Sequence, residues 1–150
     1  YSTYGMYRTP RKKDEKYYML AYVGAQADKL KEAVSTMDDL LTTMPELPAN
    51  LDLAKAQLKK DIQTERISQD DIIYNYLNAK ELGLTKDIRK EIYQNLDKIT
   101  MSQVKAFHDK YLSKKPYTYV ILASEKKLSK EELQKIGEFK KLTLEELFGY

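Results

Sequence analysis

The chain contains no cysteine and a single histidine, His108, in 150 residues. The first absence excludes disulfides, thiolate metal sites and a cysteine nucleophile. The second limits metal chemistry. A catalytic zinc needs three protein ligands drawn mostly from His, Cys and Asp/Glu, with a fourth position left for water. His108 cannot build a two-histidine site, so neither a catalytic residue nor a metal ligand is assigned within this chain. No apolar run approaches the ~18 residues of a membrane-spanning helix, and no signal-peptide pattern is present. Tryptophan is absent, and neither a repeat nor a low-complexity tract interrupts the pattern.

What is present is charge and tyrosine. Charged residues make up 33% and hydrophobic residues 42%, with a net charge of +3 and 13 tyrosines. The basic residues fall in scattered pairs (Lys59 and Lys60, Lys114 and Lys115, Lys126 and Lys127, Lys140 and Lys141), mostly with acids nearby. Nucleic-acid binding uses a concentrated basic face, so these pairs read as solvated surface and no nucleic-acid partner is expected. The one dense stretch, Arg8 to Lys13, contains Pro10 and runs into Asp14 and Glu15, as a hairpin loop would. Length predicts one domain over residues 1–150, burying roughly 70% of its unfolded surface. The chain starts at Tyr1 rather than Met, inside a strand-like segment, which suggests a cut or trimmed product.

Along the chain, Tyr1 to Tyr7 and Tyr17 to Gly24 predict an antiparallel hairpin. Leu30, Ala33, Val34, Met37, Leu40, Leu41 and Met44 recur at helical spacing, and Pro45 and Pro48 end that helix. Asn50 is a candidate cap for the next helix, and Ser68 with Asp71 for a third. Gly83 is the expected stop of that third helix, and Thr85 the opening of a fourth. Thr100 with Gln103 predicts a capping box leading to Val104, Phe107 and Tyr111. Tyr117 to Ala123 reads as a buried strand. Ser129 with Glu132 and Thr143 with Glu146 open two short terminal helices. The fold class is therefore α+β, an antiparallel sheet covered on one face by several helices. Three strands are few for such a helical layer, so further strands are expected before Tyr1.

Several stretches together resemble the C-terminal part of an insulinase/pitrilysin-family domain. They are LDLAKAQLKKDI, IYNYLNAKELGL, LDKITMSQVKAFHDKYLSKKPYTYVILAS and KKLTLEELFGY, with the opening YSTYGMY. The family's inverted zinc motif, H-x-x-E-H, is absent. The resemblance implies a partial metallopeptidase half-domain, one wall of a clamshell around a peptide chamber. The zinc cofactor would belong to the catalytic half-domain, on the same polypeptide or on a partner subunit. The metal there would activate water and polarise the scissile carbonyl. The resemblance also puts Tyr1 at the position of a substrate-binding tyrosine, whose companion arginine would precede the chain. A strand-end aromatic packing on its neighbour is the other reading of Tyr1.

The implied function is the substrate-chamber part of a zinc-dependent metallopeptidase that acts on extended peptides and is inactive alone. A non-catalytic scaffold or partner subunit of the same fold is the alternative. Lack of cysteine is compatible with the bacterial periplasm and with the cytoplasm. His108, near a helix end, reads as a surface or partly buried side chain. Asp70 with Asp71 and Glu131 with Glu132 read as first-turn charges complementing the helix dipole rather than as paired catalytic carboxylates.

Overall fold

A computed structural model describes residues 2–150; Tyr1, the expected substrate-binding residue, lies outside the described residues. The hairpin forms as its composition predicts. Strands β1 (Thr3–Arg8) and β2 (Tyr18–Val23) pair antiparallel, in a register running from Thr3 opposite Val23 to Arg8 opposite Tyr18. The connecting loop is held by the Arg11 amide, which donates to Glu15 Oε2 at 2.9 Å. The Lys13 amide donates to the Glu81 carbonyl at 3.0 Å and ties the loop to a distant helix. Period-two alternation sorts the strands into two faces. Thr3, Gly5, Tyr7, Met19, Ala21 and Val23 share one, and Tyr4, Met6, Arg8, Tyr18, Leu20 and Tyr22 share the other.

Seven α-helices follow among the described residues, so the chain is mixed helix and antiparallel strand, as an α+β class requires. They are α1 (Leu30–Thr42), α2 (Pro48–Thr64), α3 (Asp71–Glu81), α4 (Arg89–Asn95), α5 (Met101–Tyr111), α6 (Lys130–Ile136) and α7 (Leu144–Phe148). Helix α2 starts earlier than an Asn50 cap would place it. Pro48 occupies the first turn, where its missing N–H costs nothing and its fixed φ suits a helix. Helix α4 likewise begins at Arg89 rather than Thr85, because the Asp87 carboxylate accepts the Arg89 amide at 2.9 Å.

Other boundaries follow local chemistry closely. Gly83, at φ +73°, ends α3 in a Schellman motif. Its amide donates to the Lys80 carbonyl and that of Leu84 to Ala79, both at 2.9 Å. Thr100 with Gln103 and Thr143 with Glu146 form reciprocal capping boxes, and Ser129 accepts the Glu132 amide.

Helices α2 and α4 are pinned by polar contacts. Arg89 bridges Glu65, at 2.8 Å, and Asp87. Lys59 reaches Asp97 at 2.5 Å, and Gln63 donates to the Tyr93 hydroxyl at 2.7 Å. The sheet instead meets α5 through Tyr7, whose ring lies edge-on to Phe107 with centroids 5.9 Å apart.

Two further expectations are corrected. Tyr117 to Ala123 is not a strand: the segment joins no ladder among the described residues. It keeps strand-like alternation, with Tyr117, Tyr119 and Ile121 half-buried and Val120 and Leu122 pointing outward at 90% and 100% exposure. A strand is defined by its partner's hydrogen bonds, and composition cannot supply a partner. Its place is set by two phenols. Tyr117 donates to the Leu112 carbonyl at 2.5 Å, and Tyr119 donates to the Asp38 carboxylate on α1.

The second correction is the extent of the core. The accessible surface is 13,124 Å², whereas a folded chain of 17.6 kDa is expected to expose about 7,900 Å². Only about half of the unfolded surface is therefore buried, against the roughly 70% expected from length. Among the described residues, Leu41 and Leu96 are the buried apolar side chains. The buried apolar side chains are too few to form one continuous core among the described residues.

Candidate functional site

Two surfaces of the hairpin carry the features with chemical potential. The outward face stacks Tyr4 on Tyr22, with ring centroids 5.0 Å apart, and adds Met6, Tyr18 and Leu20. All five side chains are exposed. Cross-strand aromatic pairs of this kind stabilise a sheet locally, but the apolar area remains in water.

The inward face looks across a groove of about 840 Å³ toward α1, with His108 of α5 and Leu112, just past its end, at the side. The groove exists because the sheet presents little bulk at its centre. Gly5 pairs directly with Ala21, and a Cβ added at Gly5 would meet only the Met19 methyl, at 3.7 Å. On α1 the facing residues Ala33, Thr36, Met37, Leu40 and Leu41 follow helical spacing, so one stripe lines the opposite wall.

His108 is the one buried polar residue among those described, 5% exposed, deeper than the surface or partly buried placement expected for it. Its spacing from Leu112, four residues on, puts both on the face turned to the groove. Asp109, its neighbour in sequence, lies with Oδ1 3.3 Å from His108 Nδ1. A carboxylate oxygen accepts, so Nδ1 donates in that contact. Nε2 has no hydrogen-bond partner.

The donor set does not fit a zinc centre: no three His, Cys, Asp or Glu side chains converge among the described residues. The acidic pairs lie at helix starts, Asp70 immediately before α3 and Asp71 in its first turn. Ser68 donates to the Asp71 carboxylate at 2.5 Å, and Glu131 and Glu132 sit in the first turn of α6. No described helix is long and apolar enough to cross a membrane. Titration is perturbed mainly at two places away from the groove. The hydrogen bond to Asp38, with burial, pushes the Tyr119 hydroxyl up to about 12. The Arg89 guanidinium holds the Asp87 carboxyl down at about 2.

Sequence reading had no hold on the groove, since its walls come from four separated segments. The small pair Gly5 and Ala21 was the signal that could have marked it. No protein-family model matches the chain, and neither curated proteins nor solved structures provide a match.

Proposed function

We propose that this chain is a non-catalytic, substrate-chamber part of an insulinase/pitrilysin-like zinc metallopeptidase. In this reading a catalytic half-domain, on the same polypeptide or a partner subunit, holds zinc and hydrolyses extended peptides. The present chain covers and positions the substrate. The order of the helical and strand-like segments supports the reading, as does their resemblance to the family.

The observation that carries the reading is the uncovered surface. About 5,000 Å² more is exposed than a self-sufficient chain of this mass would show. That excess on one chain alone already matches the upper part of what obligate partners bury in total between them. The outward tyrosine platform lies on the same hairpin that the resemblance assigns to the chamber, and extended peptides bind such sheets by strand addition at an edge.

Two measurements on the chain test this. An unstructured fluorescent peptide should bind in an anisotropy titration and stay intact with or without added zinc. Tyr4→Ser with Tyr22→Ser should weaken that binding severalfold. Cleavage by the chain alone would refute its non-catalytic role. Absence of peptide binding, with retained association to another folded chain, would favour the scaffold alternative.

A further inference from the structure

The extended segment Tyr117 to Ala123 has the make-up of a strand and no strand beside it. None of its seven residues takes part in a backbone–backbone hydrogen bond among the described residues. Tyr117, Tyr119 and Ile121 are half-buried, whereas Thr118, Val120 and Leu122 face solvent, the last two at 90% and 100% exposure. The segment is built from strand-forming residues and holds no charge, glycine or proline. Folded proteins blunt free strand edges with charges, prolines or bulges, and an edge without them is a template for another strand. Pro116 bounds the segment on one side and the short turn at Glu125–Lys127 on the other.

We propose that Tyr117 to Ala123 pairs antiparallel with the same segment of a second copy of this chain, with Val120 on the two-fold axis. Val120 then faces Val120, Thr118 faces Leu122, Tyr119 faces Ile121 and Tyr117 faces Ala123, so every residue of the segment finds a partner. The alternation survives: the outward side chains meet each other, and the half-buried ones stay turned toward their own α1. The flanking charges fit the same register. Lys115 falls opposite Glu125 at both ends of the ladder, and Glu125, which already draws Lys141 at 2.7 Å, comes to lie between two cations. Lys114 and Lys126 oppose each other one step further out, where both are exposed and screened by solvent. One patch thus complements itself in length, face and flanking charge, as a two-fold contact requires. A stable interface buries about 1,200–2,000 Å² in total, well within the roughly 5,000 Å² of excess surface on one chain. The pairing is independent of the peptidase reading, which concerns the hairpin.

Sedimentation velocity of the 150-residue chain should show a concentration-dependent equilibrium between monomer and dimer. Val120→Lys and Val120→Glu each set like charges directly opposite themselves and should weaken self-association about tenfold. Mixing the two variants should restore a dimer. Val120 is already 90% exposed, so neither change disturbs the fold of the monomer, and circular dichroism checks this. The chain has no cysteine, so single replacements also report the register. Under mild oxidation Val120→Cys should cross-link, because directly opposed Cα atoms lie about 4.5–5.5 Å apart. Thr118→Cys should not, since its copies stand four residues apart along the ladder, roughly 13 Å. A chain that stays monomeric up to about 0.1 mM, a dimer untouched by Val120→Lys, or equal cross-linking at the two positions would overturn the proposal.

Discussion

The Tyr119 hydroxyl donates a hydrogen bond to the carboxylate of Asp38, 81 residues earlier in the chain. This bond fastens the extended segment after α5 onto α1, and with the Tyr117 bond it holds that segment without a ladder. The neutral phenol is the form stabilised, so the folded chain binds this proton more tightly than the unfolded one, whose phenol titrates near 10. Its stabilising effect is complete below pH 10 and is lost as pH rises toward about 12. Denaturation midpoints measured across that interval should fall in the native chain and fall less in Tyr119→Phe. Parallel curves for the two proteins would show that the bond contributes nothing.

Arg89 joins the segment after α3 to the end of α2 through Asp87 and Glu65. The depressed Asp87 carboxyl stabilises the fold above its unfolded value near 3.8, an effect lost as pH falls through about 2. Arg89→Met should return Asp87 toward its ordinary range in an NMR titration. Both carboxylates are largely exposed, so solvent screening keeps the stability loss small, about 0.5–1 kcal/mol by urea unfolding.

Thr100 and Gln103 exchange reciprocal bonds at the start of α5: the Thr100 amide donates to Gln103 Oε1 at 2.9 Å, and the Gln103 amide to Thr100 Oγ1 at 3.3 Å. Thr100→Ala removes one acceptor from the first turn and should cost about 1 kcal/mol. Because α5 carries Phe107 and His108, its fraying should also broaden the His108 ring resonances. Unchanged stability would mean that water caps the helix equally well.

Gly83 sits at φ +73°, with Lys13 Cδ only 3.0 Å from where a Cβ would project. Gly83→Ala should destabilise by roughly 1 kcal/mol through backbone strain. Lys13 is a flexible side chain and can withdraw, so Lys13→Ala should not rescue the variant. Rescue would instead identify the close contact as the source of the cost.

Leu96, 4% exposed at the C-terminal end of α4, belongs to the small buried set. Leu96→Ala should cost about 2 kcal/mol, the low end for a buried leucine, because so thinly packed a neighbourhood can relax into the space. A loss at the upper end of the range, near 5 kcal/mol, would point to a tighter core than the exposed surface implies.

Legibility in sequence tracked the distance over which each feature is decided. Caps at Thr100, Ser129 and Thr143, the stop at Gly83 and both hairpin strands were readable, since each depends on residues within a few positions. Asn50 and Thr85 misled because Pro48 and Asp87, close by, are better helix starts. Tyr117 to Ala123 misled for a different reason: its β-branched and aromatic content permits a strand, but pairing needs a second backbone from elsewhere.

Composition and local pattern were therefore sufficient for the α+β character and for the helix ends at Gly83, Thr100, Ser129 and Thr143. These follow from residue types and near neighbours, whose energetics act before distant segments meet. Packing alone settled that His108 is buried with an unsatisfied nitrogen, that Gly5 and Ala21 open a groove over α1, and that so much apolar surface stays in water. Those outcomes depend on which segments, tens of residues apart, come to lie within a few ångströms, and no short window of sequence carries that distance.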